Sequence, residues 1–199
     1  MRFPLFFEGS LPSSGNSDPT RPRPSKLQAI WAIRDAIRPQ LDRLFETHQA
    51  LSGRSGASRA ARHALIPPIM VDGHRFYALV KDRLKLKCGL KIDLLVNHEP
   101  ATVVTQHGDL DNRLKTLFDG LRIPASQQEI RGHITPETLE KDQYICLLEN
   151  DAVITGLHVE TMRNLGSPLN AGGDHVRLNI MVTIEPLEPT FENETFQGD

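Results

Sequence analysis

The chain has 199 residues and a formal net charge of -2, so it is long enough for one domain with a hydrophobic core of its own. Hydrophobic residues make up 39% and charged residues 24%, which is ordinary for a globular protein and excludes a strongly basic nucleic-acid-binding chain. The longest apolar runs, such as residues 180–184, are much shorter than a membrane span, and the N-terminus does not have the pattern of a signal peptide. We therefore expect a cytoplasmic protein with no membrane partner.

Charge is unevenly distributed along the chain. Residues 1–100 hold 16 Lys and Arg against 9 Asp and Glu, whereas residues 101–199 hold 7 against 16. A basic half beside an acidic half can indicate a phosphate-binding surface next to a cation-binding site. A mosaic surface without a partner gives the same distribution, so charge alone leaves both interpretations open.

The two cysteines, Cys88 and Cys146, do not form a CxxC pair. Two cysteines cannot build a disulfide scaffold, and neither has the local signature of a nucleophile. We expect both to be buried or idle thiols in a reducing compartment.

The N-terminal part of the chain predicts one strand and one long helix. Residues 3–7 favour a short strand, and residues 11–25, rich in Pro, Ser and Gly, favour a loop. Ser25 is a plausible N-cap for a helix over residues 26–44, in which apolar residues recur at helical spacing. Pro39 can kink or divide that helix.

The central and C-terminal parts predict the rest of a sheet. Apolar spacing indicates a helix over residues 112–121, and clean alternation makes 176–184 the clearest strand. Residues 122–143 are polar and contain two prolines, so we interpret them as an insertion, and the acidic residues 185–199 as a disordered tail. These elements predict an α/β domain over residues 1–184, with a small mixed β-sheet of about four strands and helices packed on it. Further strands are predicted at 91–96, 101–106 and 153–162, and residues 145–148 form a short apolar segment.

Two aspartates lie where the second predicted helix begins. Asp109 and Asp111 are two residues apart, and on an extended segment residues i and i+2 project to the same face. Two neighbouring carboxylates repel each other, so one becomes protonated or a cation lies between them. Mg²⁺ is commonly held by one or two carboxylates, with water and substrate phosphate in the other positions. Asn112 is a plausible N-cap, which would place Lys115 in the first turn near both carboxylates.

A third aspartate follows the apolar segment at residues 145–148. Asp151 precedes a predicted strand, so it could return to the sheet edge beside Asp109 and Asp111. Three acids and a lysine are the groups that metal-assisted phosphodiester hydrolysis needs, because the metal activates water and neutralises charge in the transition state. Each acid also has a structural explanation, since acids are favourable at helix starts and single aspartates are common in turns.

The segments GDLDNRLKTLFDGL, at residues 108–121, and LLENDAVITGLHVE, at residues 147–160, resemble the RusA family of Holliday junction resolvases. That family carries a DxDN-xx-K-xxx-D pattern followed by an acidic turn into a strand, and residues 11–16 are similar to the loop after its first strand. The resemblance implies a small homodimeric α/β fold that cleaves branched DNA with Mg²⁺ or Mn²⁺. The insertion at 122–143 makes the gap between the two motifs longer here than in compact members. The roles it implies are Asp109, Asp111 and Asp151 as catalytic metal ligands and Lys115 as the functional lysine. Asn112 and Asp119 match the pattern too, and we interpret them as the helix cap and a supporting acid.

Arginines are the expected contacts to DNA phosphates, where they would position DNA without reading its sequence. Arg54, Arg59 and Arg62 lie in the small, polar and basic stretch 52–62, which is equally well explained as a solvated linker. Arg113 lies in the second predicted helix. None of the eight histidines has the spacing of a zinc site.

Two function classes remain open from the sequence. One is a metal-dependent endonuclease that acts on branched or structured DNA in recombination and repair. The other is a non-catalytic nucleic-acid-binding or interaction protein, of phage or mobile-element origin, that retains the fold. The presence of all three aspartates with Lys115 favours the enzyme, whereas the insertion and acidic tail keep the second class open. For the dimer that the resemblance implies, a candidate interface is the helix at 26–44 with Trp31, Ile37 and Leu41.

Overall fold

The computed structural model of the chain describes residues 1–12, 25–48, 51, 66–97, 99–100, 110–134, 144–166, 174–190, 193 and 196. The strand expected at 101–106 and the basic stretch at 52–62 lie outside these residues. Within them, no helix is long and apolar enough to cross a membrane. In chain order the elements are β1 (Arg2–Ser10), α1 (Lys26–Thr47), β2 (Ile69–Val71), β3 (His74–Val80), β4 (Leu86–Val96), α2 (Leu110–Leu121), α3 (Gln127–Ile130), β5 (Tyr144–Leu148), β6 (Ile154–Arg163) and β7 (His175–Pro186).

Four strands form a mixed sheet, named sheet 1, in the order β1-β7-β4-β6. Strand β7 is antiparallel to both β1 and β4, and β6 is parallel to β4. In β4 and β7 every second side chain is buried, because one face of the sheet packs on the helices and the hydrophobic core. The predicted α/β class and the mixed sheet of about four strands are confirmed at this level.

A second sheet, named sheet 2, was not predicted from the sequence. It has the order β2-β3-β5, with β3 antiparallel to β2 and parallel to β5. Residues 76–80 of β3 are all buried, so the strand lacks the alternation that identifies a half-exposed strand. One face of sheet 2 joins the main core and the other packs on a smaller cluster that contains Trp31, Phe76 and Tyr144.

Helix α1 begins at the predicted cap and continues through Pro39 to Thr47. Ser25 Oγ accepts a hydrogen bond from the Gln28 backbone N–H, and Gln28 Oε1 accepts one from the Ser25 N–H, which is a complete capping box. The expectation that this helix supplies a dimer interface is wrong for its apolar face. Trp31, Ile37 and Leu41 are buried within the chain itself.

The predicted insertion and tail both contribute to the packed structure. Ile123 and Ile130 are buried in the smaller cluster, and Trp31 Nε1 donates a hydrogen bond to the Glu129 carbonyl at 2.7 Å. In the tail, Asn193 and Phe196 are buried, which differs from the disordered segment predicted there. The acidic composition of the tail gave no signal for these two buried residues. The Asn193 side-chain amide donates a hydrogen bond to the Leu84 carbonyl at 2.9 Å.

The two outer edges of sheet 1 are built differently. At the β1 edge, Gln40 Nε2 donates to the Phe6 carbonyl at 2.7 Å and Gln40 Oε1 accepts from the Phe6 N–H at 2.9 Å. Pro4 faces the same edge and has no N–H to offer. Strand β6 forms the opposite edge, where it is paired along one side with β4.

Candidate metal site

The first turns of α2 present an exposed acid–base pair. Asp111 lies in the first turn and Lys115 lies one turn later on the same side of the helix. Lys115 Nζ is 2.6 Å from Asp111 Oδ2, and the two side chains are 61% and 72% exposed. This exposure leaves a carboxylate and an ammonium group accessible to a cation, water or a phosphate.

The helix starts two residues earlier than predicted, at Leu110. Asn112 is therefore inside the first turn, where its carbonyl accepts a hydrogen bond from Thr116 Oγ1 at 2.9 Å, and the prediction of an Asn112 N-cap is wrong. Asp109 directly precedes the helix but lies outside the described residues, as does His107. The placement of Asp109 beside Asp111 remains a prediction.

Arg113 does not present a DNA-binding group, in contrast to the expectation from the sequence. Its side chain is buried, and its guanidinium donates to the Leu11 carbonyl at 2.6 Å and to Asp174 Oδ1 at 3.4 Å. The physical reason is helical phase, because Arg113 lies on the same face as the buried Leu117 and Gly120. Arg113 joins the start of α2 to the end of β1 and the start of β7.

Asp119 also has a structural role. It accepts hydrogen bonds from Arg122 and forms an ion pair with Lys26 at 2.9 Å. Burial opposes ionisation of Asp119, but the hydrogen bonds from Lys26 and Arg122 outweigh it and keep the pKa of this carboxyl below its usual value. Arg122 also pairs with Glu129 at 3.2 Å, and Glu129 pairs with the buried Arg34 at 2.9 Å. Asp119 is thus committed to a network between α1, α2 and α3.

Asp151 is held on a short, well-braced turn. It begins a single 3-10 turn, Asp151–Val153, whose start is capped by Asn150 Oδ1 accepting from the Ala152 N–H at 2.9 Å. The preceding Glu149 links two strand ends, because its N–H donates to the Val80 carbonyl and its carboxylate accepts from the Asp82 N–H. The Asp151 side chain is exposed at the carboxyl ends of the parallel strands β3 and β5.

A buried lysine that the sequence did not reveal lies close to this turn. Lys81 follows β3, is buried, and its Nζ donates to the Pro67 carbonyl. Burial lowers the pKa of Lys81, and the nearby Glu149 opposes that change. The residue stands in an unremarkable polar stretch, so the sequence carried no signal for it.

Helix α2 runs between the two ends of sheet 1. It begins at the end where β1 and β4 finish, as the contacts from Arg113 to Leu11 and Asp174 establish. It finishes beside β5, where the Ile123 N–H donates to the Leu148 carbonyl at 3.0 Å. Its twelve residues correspond to about 18 Å of helix.

Asp111 and Asp151 therefore lie toward opposite ends of sheet 1. Asp151 precedes β6, whose first residue, Ile154, pairs with Cys88 near the beginning of β4. Asp111 lies at the start of α2, near the far end of β4. The structure brings Lys115 to Asp111, but it does not bring Asp151 to them within one chain. Among the residues that the structure describes, no group of three His, Cys, Asp or Glu side chains could hold a metal ion.

The thiols and the described histidines do not form an alternative centre. Cys88 and Cys146 are free and buried, as predicted. Burial raises the pKa of Cys88 to about 12 and that of Cys146 to about 11, so both stay protonated near neutral pH. His158 is exposed on β6, and His175 contacts Glu8 at 3.5 Å on the outer face of sheet 1.

Comparison with protein-family models, with curated proteins and with solved structures gives no match for this chain.

Proposed function

We propose that the chain is a metal-dependent endonuclease that cleaves branched DNA and works as a two-fold dimer. Asp109, Asp111 and Asp151 bind Mg²⁺ or Mn²⁺, and Lys115 acts beside them. The observation that carries the proposal is the exposed Asp111–Lys115 pair at the start of α2, within the DxDN-xx-K sequence that resembles the RusA family. Arg54, Arg59 and Arg62 hold DNA phosphates in this proposal, and Arg113 is left out because it is buried.

The donor chemistry at the start of α2 fits a hard divalent ion. Mg²⁺ prefers oxygen ligands and keeps several waters, so an exposed carboxylate such as Asp111 suits it better than a closed protein cage. When bound, the ion activates a water and neutralises charge on the phosphate. Lys115 balances the carboxylates before the ion arrives and then holds positive charge against the phosphorane that develops during hydrolysis.

The two ends of sheet 1 determine how three aspartates can share one ion. Because Asp111 and Asp151 lie toward opposite ends within a chain, one ion can contact both only if they come from two chains. A two-fold dimer supplies this arrangement twice, with Asp111 and Lys115 of one subunit facing Asp151 of the other. A four-way junction is itself two-fold symmetric and needs two cuts, so a symmetric pair of sites matches the proposed substrate.

A non-catalytic nucleic-acid-binding or interaction protein is the second candidate. The observation in its favour is the same separation of Asp111 from Asp151 within one chain. In that case the Asp111–Lys115 pair is a solvated helix pair that contributes little to the stability of the protein. Asp151 is then only a turn residue.

Cleavage assays on a four-way junction, a flap and a plain duplex, with and without Mg²⁺, separate the two candidates. We expect wild type to cut the branched substrates only with metal. Asp111→Asn should abolish cleavage yet leave DNA binding intact or stronger, because it removes a negative charge that faces phosphate. Asp42→Asn is the matched control, since Asp42 pairs with Arg38 at 3.9 Å on the exposed side of α1. Equal cleavage by wild type and Asp111→Asn would overturn the catalytic assignment.

A further inference from the structure

The edge of sheet 1 opposite β1 is a long strand, β6, with one register shift near its start, between the pairs Cys88–Ile154 and Gly89–Gly156. Strand β6 has ten residues and is hydrogen-bonded along one side to β4 over nearly its whole length. Most of its side chains are exposed or half-buried. Edge strands of this length are where another strand can add, and folded proteins usually shorten, bulge or cover them. The opposite edge of the same sheet is covered, at Phe6, by the side chain of Gln40.

Backbone direction decides which groups of β6 face outward. The Asn164 N–H donates to the Val96 carbonyl, so the even-numbered residues at this end of β6 direct their backbone groups toward β4. Backbone groups alternate along a strand, so the odd-numbered residues direct theirs away from the sheet. Among the residues that the structure describes, no strand pairs with β6 on that side. From Gly156 onward, the outward-facing residues are Leu157, Val159, Thr161 and Arg163.

We infer that this edge binds a second copy of the chain, with β6 pairing antiparallel to β6 of the partner about a two-fold axis perpendicular to the sheet. The two four-stranded sheets would then join into one continuous sheet with β6 and its symmetry mate at the centre. Antiparallel pairing of identical strands satisfies the two-fold symmetry that closed dimers require. It also supplies a hydrogen-bond partner to every outward-facing group of the central residues.

The side chains of β6 select one register for this pairing. Only odd-numbered residues direct backbone groups outward, so hydrogen-bonded pairs join odd-numbered residues of the two copies and the two-fold axis passes through a residue. Neighbouring registers therefore differ by moving the axis one residue along the strand. With the axis at Val159, His158 lies opposite Glu160 of the partner subunit, and Glu160 opposite the partner's His158. Leu157 then lies opposite Thr161 of the partner subunit. A carboxylate opposite an imidazole, from which it can accept a hydrogen bond, and an apolar residue opposite a β-branched one are favourable neighbours in such positions.

The neighbouring registers lack this complementarity. With the axis at Glu160, the two carboxylates of Glu160 lie directly opposite each other, which is destabilising. With the axis at His158, the two imidazoles face each other and Glu160 lies opposite Gly156. The strand is therefore complementary to itself in one register, which favours a second copy over an unrelated strand as its occupant.

Charge substitutions at exposed residues of β6 test the pairing without changing the core. His158→Glu places carboxylates opposite Glu160 at both symmetric positions, so the dimer dissociation constant should rise by about tenfold or more. His158→Glu combined with Glu160→Lys places opposite charges at these positions and should bring the dissociation constant back near the wild-type value. Met70→Glu is the control, because Met70 is exposed on β2, away from β6. Sedimentation equilibrium at micromolar concentration, without DNA or metal, measures all four proteins.

Amide hydrogen exchange gives a second readout at the level of single strands. In the wild-type dimer, the amides of Leu157, Val159 and Thr161 should exchange slowly, and in the His158→Glu variant they should exchange fast. The amides of the even-numbered residues, which face β4, should stay protected in both proteins and so report that the fold is intact.

Three results would overturn the inference: a monomeric wild type at these concentrations, equal dimerisation of wild type and His158→Glu, or rapid exchange of the odd-numbered amides in a dimer. The interface refines the dimer in the proposed function, but its test does not use cleavage. A β6-paired dimer that cuts no DNA would leave this inference standing while the nuclease proposal fails.

Discussion

Helix α2 carries two ion pairs that lie in opposite environments. Asp111 and Lys115 are in contact at 2.6 Å with both side chains largely exposed, whereas Arg113 and Asp174 are 3.4 Å apart with both largely buried. A surface pair contributes about 0–1 kcal/mol to stability. Removing one partner of a buried pair leaves an uncompensated charge and costs about 3–5 kcal/mol. The exposed pair can therefore exchange its partner for a metal or a phosphate at little cost, and the buried pair cannot.

The difference between the two pairs is set by helical phase and not by residue type. Lys115 and Arg113 are both cations in the same short motif, and either can bind phosphate. Arg113 falls on the face with Leu117 and Gly120, which packs into the protein, and Lys115 falls on the opposite face. A cation in a motif is thus a candidate for function only on the face that the fold leaves exposed.

The largest expected effect concerns the exposed pair and its relation to Asp151. Asp111→Asn and Asp151→Asn should each abolish cleavage of a four-way junction in the presence of Mg²⁺. If the two aspartates meet across a dimer, mixing and re-equilibrating the two variants should restore nicking to about a quarter of wild type, because half of the dimers are mixed and each has one intact site.

The same mixture distinguishes a shared site from one within a single chain. A mixture that stays inactive, although exchange of subunits is demonstrated, would show that each site uses both aspartates of one chain. A mixture of Asp111→Asn with itself is the control for residual activity.

The buried pair should dominate stability. Arg113→Ala should lower the free energy of unfolding by about 3–5 kcal/mol, because the buried Asp174 then loses its ion pair with Arg113. Arg177→Ala is the matched control, since Arg177 pairs with Glu8 at 2.9 Å on the surface and should cost less than about 1 kcal/mol. Urea denaturation measures both variants. Equal losses in the two would contradict the contrast between buried and exposed pairs.

Lys115→Ala should change stability little and activity strongly. The free energy of unfolding should change by less than about 1 kcal/mol, because the pair that it removes is exposed. Turnover should fall about 100-fold if Lys115 stabilises charge on the phosphate during hydrolysis. Metal affinity, followed by titration of the protein with Mn²⁺, should change much less than turnover. Unchanged turnover would show that Lys115 is a solvated helix residue with no role in catalysis.

The buried face of α2 can be tested at its closest approach to α1. A Cβ atom added at Gly120 would lie 2.7 Å from Ile33 Cβ, so Gly120→Ala should force α1 and α2 apart. Overpacking of this kind costs about 1–3 kcal/mol, which thermal unfolding would detect. Gly166→Ala is the control, because its nearest neighbour would be Asn164 Oδ1 at 3.6 Å. A neutral Gly120→Ala would mean that the helices can separate freely.

The smallest expected effect concerns arginines outside α2. Arg54→Ala, Arg59→Ala and Arg62→Ala should each weaken DNA binding and reduce its salt dependence, by about one unit of slope for each phosphate that the variant no longer neutralises. Binding isotherms at several salt concentrations measure this slope. Unchanged slopes in all three variants would indicate a linker that does not touch DNA.

Sequence patterns predicted those elements in which one face is buried and the other exposed. The alternation in β7 and the apolar spacing in α1 were sufficient, and Ser25 was recognised as the helix cap. Strand β3 was missed because it is buried on both faces, so its residues do not alternate. The anchoring role of Phe196 was missed because isolated apolar residues in an acidic tail give no periodic signal.

The candidate site was predictable as a set of residues and not as an arrangement. The motif identified Asp111 and Lys115, and the structure places them in contact. The position of Asp151 depends on how far β4 and β6 extend, and no local pattern encodes the distance between the two ends of a sheet. The burial of Arg113 depends on its partner Asp174, which is 61 residues away in the chain.

Gln40 has a consequence for how many copies can associate. A protein with two usable sheet edges can add copies at both, and such head-to-tail growth has no natural end and produces fibres. Here the Gln40 amide occupies both backbone groups of Phe6, and Pro4 offers no donor, so the middle of the β1 edge is closed to a further strand. If β6 pairs with β6 of a second copy as inferred, sheet 1 would then not extend at its β1 edge. Replacement of Gln40 by alanine would expose the Phe6 backbone groups and open a route to growth at that edge.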